Sequence, residues 1–164
     1  MKRFFIVIIF LLFATVSAET IKAGITKEYI PEGFFGSWGV ISKLSSSNNP
    51  TIFNMESRDV WMLSGYGNVL VLQNLQSGAR SEILIKEKTK DGKTLKFERE
   101  KTSKDGNKKV VYKEKIEFIL MGNMFSGSDI YTVEQYDAKN VQIKKDTATY
   151  NISGVKISGS TPNE

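Results

Sequence analysis

Residues 94–120 read TLKFEREKTSKDGNKKVVYKEKIEFIL, and the alternation on either side of Asp105-Gly106-Asn107 decides the fold class. Leu95 and Phe97 fall on one face of the first arm, while Lys96, Glu98 and Glu100 fall on the other. In the second arm Val110, Tyr112, Ile116, Phe118 and Leu120 share a face, with Glu114 as the exception in that row. A period of two marks a β-strand with one buried face, and Gly and Asn tolerate the positive φ angles of a tight hairpin turn. The segment is therefore an antiparallel hairpin with one wet face and one dry face.

The same pattern continues in both directions. Candidate strands cover 37–44, 58–64, 68–74, 81–89, 94–102, 108–120, 125–137, 140–150 and 153–158, all rich in Val, Ile, Thr, Tyr and Phe. Gly65-Tyr66-Gly67-Asn68, Asp91-Gly92, Gly122-Asn123 and Asp137-Ala138-Lys139-Asn140 supply turn chemistry between them, and Tyr131 and Val133 share one side of their strand. Segment 48–57, where Asn49-Pro50 precedes Ile52, Phe53 and Met55, reads equally as a short helix or as a loop. Strands this close in sequence pair with their neighbours, which predicts an all-β, antiparallel up-and-down barrel of about eight or nine strands, with a sandwich as the alternative.

Residues 1–18 have the layout of a secretory signal peptide. Lys2 and Arg3 precede an apolar run from Phe4 to Phe13, and small residues at Val16 and Ala18 set a cut before Glu19. The apolar run is half of the ~20 residues that a membrane span needs. Residues 19–34 then form a lead-in segment, 35–158 a single β-barrel domain and 159–164 a disordered tail. Export to a periplasm or the cell exterior is the expected localisation, with no transmembrane segment in the mature chain. The 164-residue sequence contains no cysteine, so packing alone must stabilise the domain.

Composition also limits the chemistry. Without His or Cys, the chain has no Ser-His-Asp or Cys-His catalysis and no zinc site built on imidazole or thiolate. It has no Gly-x-Gly-x-x-Gly or Gly-x-x-x-x-Gly-Lys motif for dinucleotides or phosphates. A carboxylate pair acting on sugars, a Ser-Lys dyad or an all-oxygen calcium site survive elimination, but the expectation is a protein that is not an enzyme and has no metal and no cofactor. The mature chain would carry 21 basic and 18 acidic residues, too small an excess to argue for nucleic acid. Between Lys86 and Lys115, eleven lysines and Arg99 face six acids, a local excess of +6. That stretch reads either as a patch for anionic partners or as solvent-facing strand positions where lysines guard against edge pairing. The triplet Asn151-Ile152-Ser153 is a glycosylation acceptor pattern only in a eukaryotic secretory route.

The phrase Phe34-Phe35-Gly36-Ser37-Trp38-Gly39-Val40 resembles the Gly-x-Trp signature that opens the first strand in lipocalins and fatty-acid-binding proteins, the calycin group. Gly36 and Trp38 occupy the matching positions. The resemblance implies a barrel whose Trp38 closes one end over the core and whose Gly36 permits close backbone approach. It also implies an interior lined by apolar and aromatic side chains, with Trp61, Phe97, Tyr112, Phe118 and Tyr131 as ligand-binding candidates. Two functions follow as expectations. One is an exported lipocalin-like binding protein for a small apolar ligand. The other is a non-enzymatic envelope interaction protein with a filled barrel. A hollow or packed interior separates them.

Overall fold

The computed structural model describes residues 29–159. The signal peptide expected over 1–18, the first part of the lead-in segment and residues 160–164 lie outside these. Eight strands follow one short 3-10 turn at Glu32–Phe34: β1 (Gly36–Ser47), β2 (Glu56–Tyr66), β3 (Val69–Asn74), β4 (Arg80–Leu84), β5 (Thr94–Asp105), β6 (Lys108–Met121), β7 (Met124–Tyr136) and β8 (Gln142–Ser158). They form one sheet in the order β4-β3-β2-β1-β8-β7-β6-β5. All pairings are antiparallel, and every pairing joins sequence neighbours except the one in which β8 returns to β1. A single curled sheet of this kind is a nearly closed up-and-down barrel, not a sandwich. Its seam lies between β4 and β5, which are not hydrogen-bonded as strands. There Arg99 Nη1 of β5 donates to Ser81 Oγ of β4 at 3.3 Å.

The hairpin that decided the fold class runs in register from Thr94↔Ile119 to Asp105↔Lys108, so the turn is the two residues Gly106-Asn107. Gly106 has φ 59°, a left-handed conformation that favours glycine. One open reading settles and two expectations change. Segment 48–57 holds no helix; 48–55 is a loop and Glu56 and Ser57 open β2, with Asn48 Oδ1 accepting from the Thr147 amide at 2.8 Å and Asn49 Nδ2 donating to Asp146 at 3.1 Å. These side chains tie the segment to β8 and draw it out of helical geometry. The strand expected over 81–89 ends at Leu84, because Asp91 collects the Lys93 and Thr94 amides at 2.9 and 2.8 Å and folds the next stretch into a loop. The separate strands expected over 140–150 and 153–158 are one 17-residue strand. Ile152 is buried in mid-strand, and Gly154 lies opposite Phe125, whose ring occupies the space a Gly154 side chain would fill.

One end of the barrel is packed solid. Trp38, Phe34, Phe118 and Phe125 are fully buried, and the Phe125 ring lies 4.9 Å from Trp38 and 4.6 Å from Phe118. The lead-in segment contributes Ile30 and Phe34 to this core. Trp38 Nε1 donates to the Phe34 carbonyl at 2.7 Å, which pins that segment across the barrel end. Lys156 lies 5.0 Å over the indole ring and donates to the Gly33 carbonyl at 2.8 Å. A buried indole needs a partner for its N–H, and the backbone carbonyl supplies it.

Candidate functional site: a polar chamber in the open half of the barrel

The inward-facing rows change character along the barrel axis. On β2 the row runs Leu63, Trp61, Asp59, Ser57; on β5 it runs Leu95, Phe97, Arg99. On β6 it runs Phe118, Ile116, Glu114, and on β7 Phe125, Gly127, Asp129, Tyr131. The ladders put Arg99 opposite Glu114, Glu114 opposite Tyr131, and Asp129 opposite Ile116 and Tyr150. Each row therefore turns from apolar to polar at about the same level. Charged side chains cannot fill space at packed-core density while remaining solvated, so the barrel opens there.

The opening is a cavity of about 390 Å³. Trp61, Leu72 and Ile116 border it on the packed side, and Phe53 of the 48–55 loop reaches in from the rim. Phe53 is buried, with its ring edge-on to Tyr131 at 6.2 Å. Polar lining comes from Ser42, Asp59, Arg99, Glu114, Asp129 and Tyr150. A second cleft of about 740 Å³ along the β4–β5 seam shares Ser81, Arg99, Glu114 and Tyr131 with it. The Arg99–Ser81 contact thus lies where the two spaces meet.

Three of the four charged groups have partners. Arg99 Nε donates to Glu114, and Asp59 accepts from Asn74 Nδ2 at 2.8 Å and from Ser57 Oγ at 3.3 Å. Asp129 differs. Its Oδ1 is buried without a hydrogen-bond partner, the only such side-chain atom among the described residues. Burial pushes its pKa up to about 7, with the Glu114 charge adding to the rise and Arg99 opposing it. The Tyr131 phenol is pushed up to about 12 by burial and then by Glu114, so it stays protonated. Burial also raises Tyr150, with a contribution from the Asp129 charge. The chamber thus sets an unpaired Asp129 carboxyl oxygen, with its pKa raised by burial, among aromatic rings. Among the described residues no three acidic side chains converge as a metal-binding group.

The residues anticipated from sequence divide between the two halves. Trp61 and Tyr131 line the chamber, and Tyr112 lines the seam cleft. Phe97 and Phe118 belong to the core, where their rings meet at 6.0 Å. Gly36 and Trp38 lie at the packed end, on β1 beside β8. Asp59, Arg99, Asp129, Tyr150 and Phe53 were not anticipated. The available signal was a charge on an inward position, visible at Glu114 and, by the same alternation, at Arg99 two residues beyond Phe97. In the Lys86–Lys115 stretch, Lys96, Lys113 and Lys115 pair with Glu117, Glu134 and Glu98 at 2.9, 2.8 and 3.4 Å. Among the described residues no helix is long and apolar enough to cross a membrane. Compared with known protein families, curated proteins and solved structures, the chain matches none.

Proposed function

We propose that the chain is an exported, calycin-like binding protein, with no catalytic role, that holds one small molecule in the open half of its barrel. The observation that carries this reading is the half-filled interior: a packed apolar end beneath a chamber of about 390 Å³, within the usual range of ligand sites. The expected apolar ligand is refined to an amphipathic one. Its apolar part would rest on Trp61, Leu72 and Ile116, and its polar part would meet the Asp129 and Tyr150 side of the chamber. The layout of residues 1–18 supports export. Gly36 and Trp38, with an eight-stranded meander around them, support the calycin-like reading.

A surface interaction role is a second reading, favoured by one feature. Met121, Met124, Val155 and Ile157 are exposed beside the packed end, and the ladders set Met121 next to Met124 and Met124 next to Val155. Thermal denaturation with a panel of small amphipathic compounds separates the two, because a ligand that binds only the folded state raises the melting temperature with concentration. The binding reading predicts compounds that raise it and also quench Trp61 emission. A panel with no such compound, together with a midpoint that rises with protein concentration, would favour the surface reading.

A further inference from the structure

The chamber's chemistry narrows the ligand class, an inference that rests on the binding reading above. We propose that the chamber selects a small aromatic or aliphatic amine, with its ammonium group against Asp129 and its apolar part over Trp61 and beneath Phe53. The lining holds three carboxyls, Asp59, Glu114 and Asp129, against one guanidinium, Arg99. Arg99 donates to Glu114 and Ser81, and the adjacent Glu114 carboxylate offsets its charge toward an anionic ligand. Asp59 is held by Asn74 and Ser57. What is left is the buried Asp129 Oδ1 with no donor in reach. A ligand donor satisfies it, and a cationic donor also offsets the surplus negative charge of the chamber. Aromatic faces attract ammonium groups, and Phe53, Trp61, Tyr131 and Tyr150 bring four such rings to the lining.

The groups that face Asp129 are known from every neighbouring element. They are Glu114 from β6, Arg99 from β5, Tyr150 from β8 and Tyr131 from β7 itself, with Asp59 of β2 on the same chamber wall. Neither tyrosine ionises near neutrality, since both are shifted upward. Asp129, raised to about 7, therefore changes charge between pH 5 and 8. Amine binding requires its ionised form, so affinity should rise with pH across that window.

The test uses three probes of matched shape, 2-phenylethylamine, 2-phenylethanol and 3-phenylpropanoate, titrated into the whole protein by calorimetry at pH 5 and pH 8. The expected result at pH 8 is amine binding at least tenfold tighter than the alcohol, with the carboxylate weakest. Amine affinity should fall tenfold or more at pH 5, and alcohol affinity should hold. Asp129→Asn should abolish the preference for amine and the pH dependence, and it should retain alcohol binding, which shows that the chamber is intact. Equal binding of all three probes, or an amine affinity independent of pH, would overturn the amine inference and leave the binding reading standing. Amine affinity unchanged by filling the chamber with Ser42→Phe would also overturn the inference. Failure of all three probes to bind would overturn both.

Discussion

Replacement of Trp38 by Ala tests the packed end of the barrel, and the structure sets the size of the effect. The side chain is fully buried, its ring packs on Phe125 at 4.9 Å and its N–H donates to the Phe34 carbonyl at 2.7 Å. Truncating a buried Phe or Trp to Ala costs about 3–5 kcal/mol. Leaving the Phe34 carbonyl buried without its donor adds about 1–3 kcal/mol. Together these approach the ~5–15 kcal/mol that stabilises a typical domain. With a urea m-value of about 2 kcal/mol/M, the midpoint should fall by roughly 2 M or more, or the protein should not accumulate folded. Trp38→Phe provides the internal control. It keeps most of the ring packing and loses the hydrogen bond, so it should cost about 1–3 kcal/mol. Urea melts of both variants, followed by circular dichroism, give the comparison. A Trp38→Ala midpoint within about 0.3 M of wild type would refute the assignment of Trp38 to the structural end. So would a Trp38→Phe variant as unstable as Trp38→Ala, because packing would then not be the dominant contribution.

Three further outcomes are expected. Gly154→Ala should destabilise by about 1–3 kcal/mol in the same assay, because the added methyl would come within 2.2 Å of a Phe125 ring held by Trp38 and Phe118. Asp129 has a folded-state pKa near 7, above its ordinary value of 3.8, so the folded protein binds the extra proton between those limits. Stability should therefore fall as pH rises from about 4 to 7, by up to about 4 kcal/mol. Asp129→Asn should remove that slope, with melting temperatures at pH 4.5 and 8 as the readout. Reversing Lys108 and Lys109 to Glu should alter stability by no more than about 0.5 kcal/mol, since both are exposed beside the Gly106-Asn107 turn. If the basic stretch docks on anionic surfaces, the same change should abolish retention on anionic vesicles at low salt.

The meander was legible in the sequence because each hairpin carries two signals that agree, a period of two in the arms and Gly or Asn in the turn. The β5–β6 hairpin has both and was read within a few residues. The loop at 48–55 and the early end of β4 were less legible, since both depend on side-chain hydrogen bonds that tie distant or irregular backbone. Asn48 and Asn49 bond to residues of β8 almost a hundred positions away. The break expected at 151–152 is absent because β8 runs in register beside both β1 and β7 through these positions, with Ile152 buried in mid-strand. At the candidate site, aromatic residues were visible as a class, but strand alternation alone does not say which level of the barrel each one occupies. Trp61 and Phe118 share the core with rings 6.1 Å apart, yet only Trp61 also borders the chamber. The chamber was marked by inward charges. Glu114 interrupted its apolar row visibly, whereas Gly127 already breaks the row between Phe125 and Tyr131 in which Asp129 stands.

The central claim is that the open half of the barrel holds a small molecule, and native mass spectrometry of the protein purified from its own host tests it most directly. The sample should be wild type and Ser42→Phe, prepared side by side without denaturant. Ser42 is buried on the chamber wall, so a phenyl ring there occupies ligand space. The account predicts a wild-type ion heavier than the polypeptide by the mass of one small molecule, released on activation in the gas phase, and a bare polypeptide mass for Ser42→Phe. A bare mass for wild type, or the same adduct on both proteins, would contradict it.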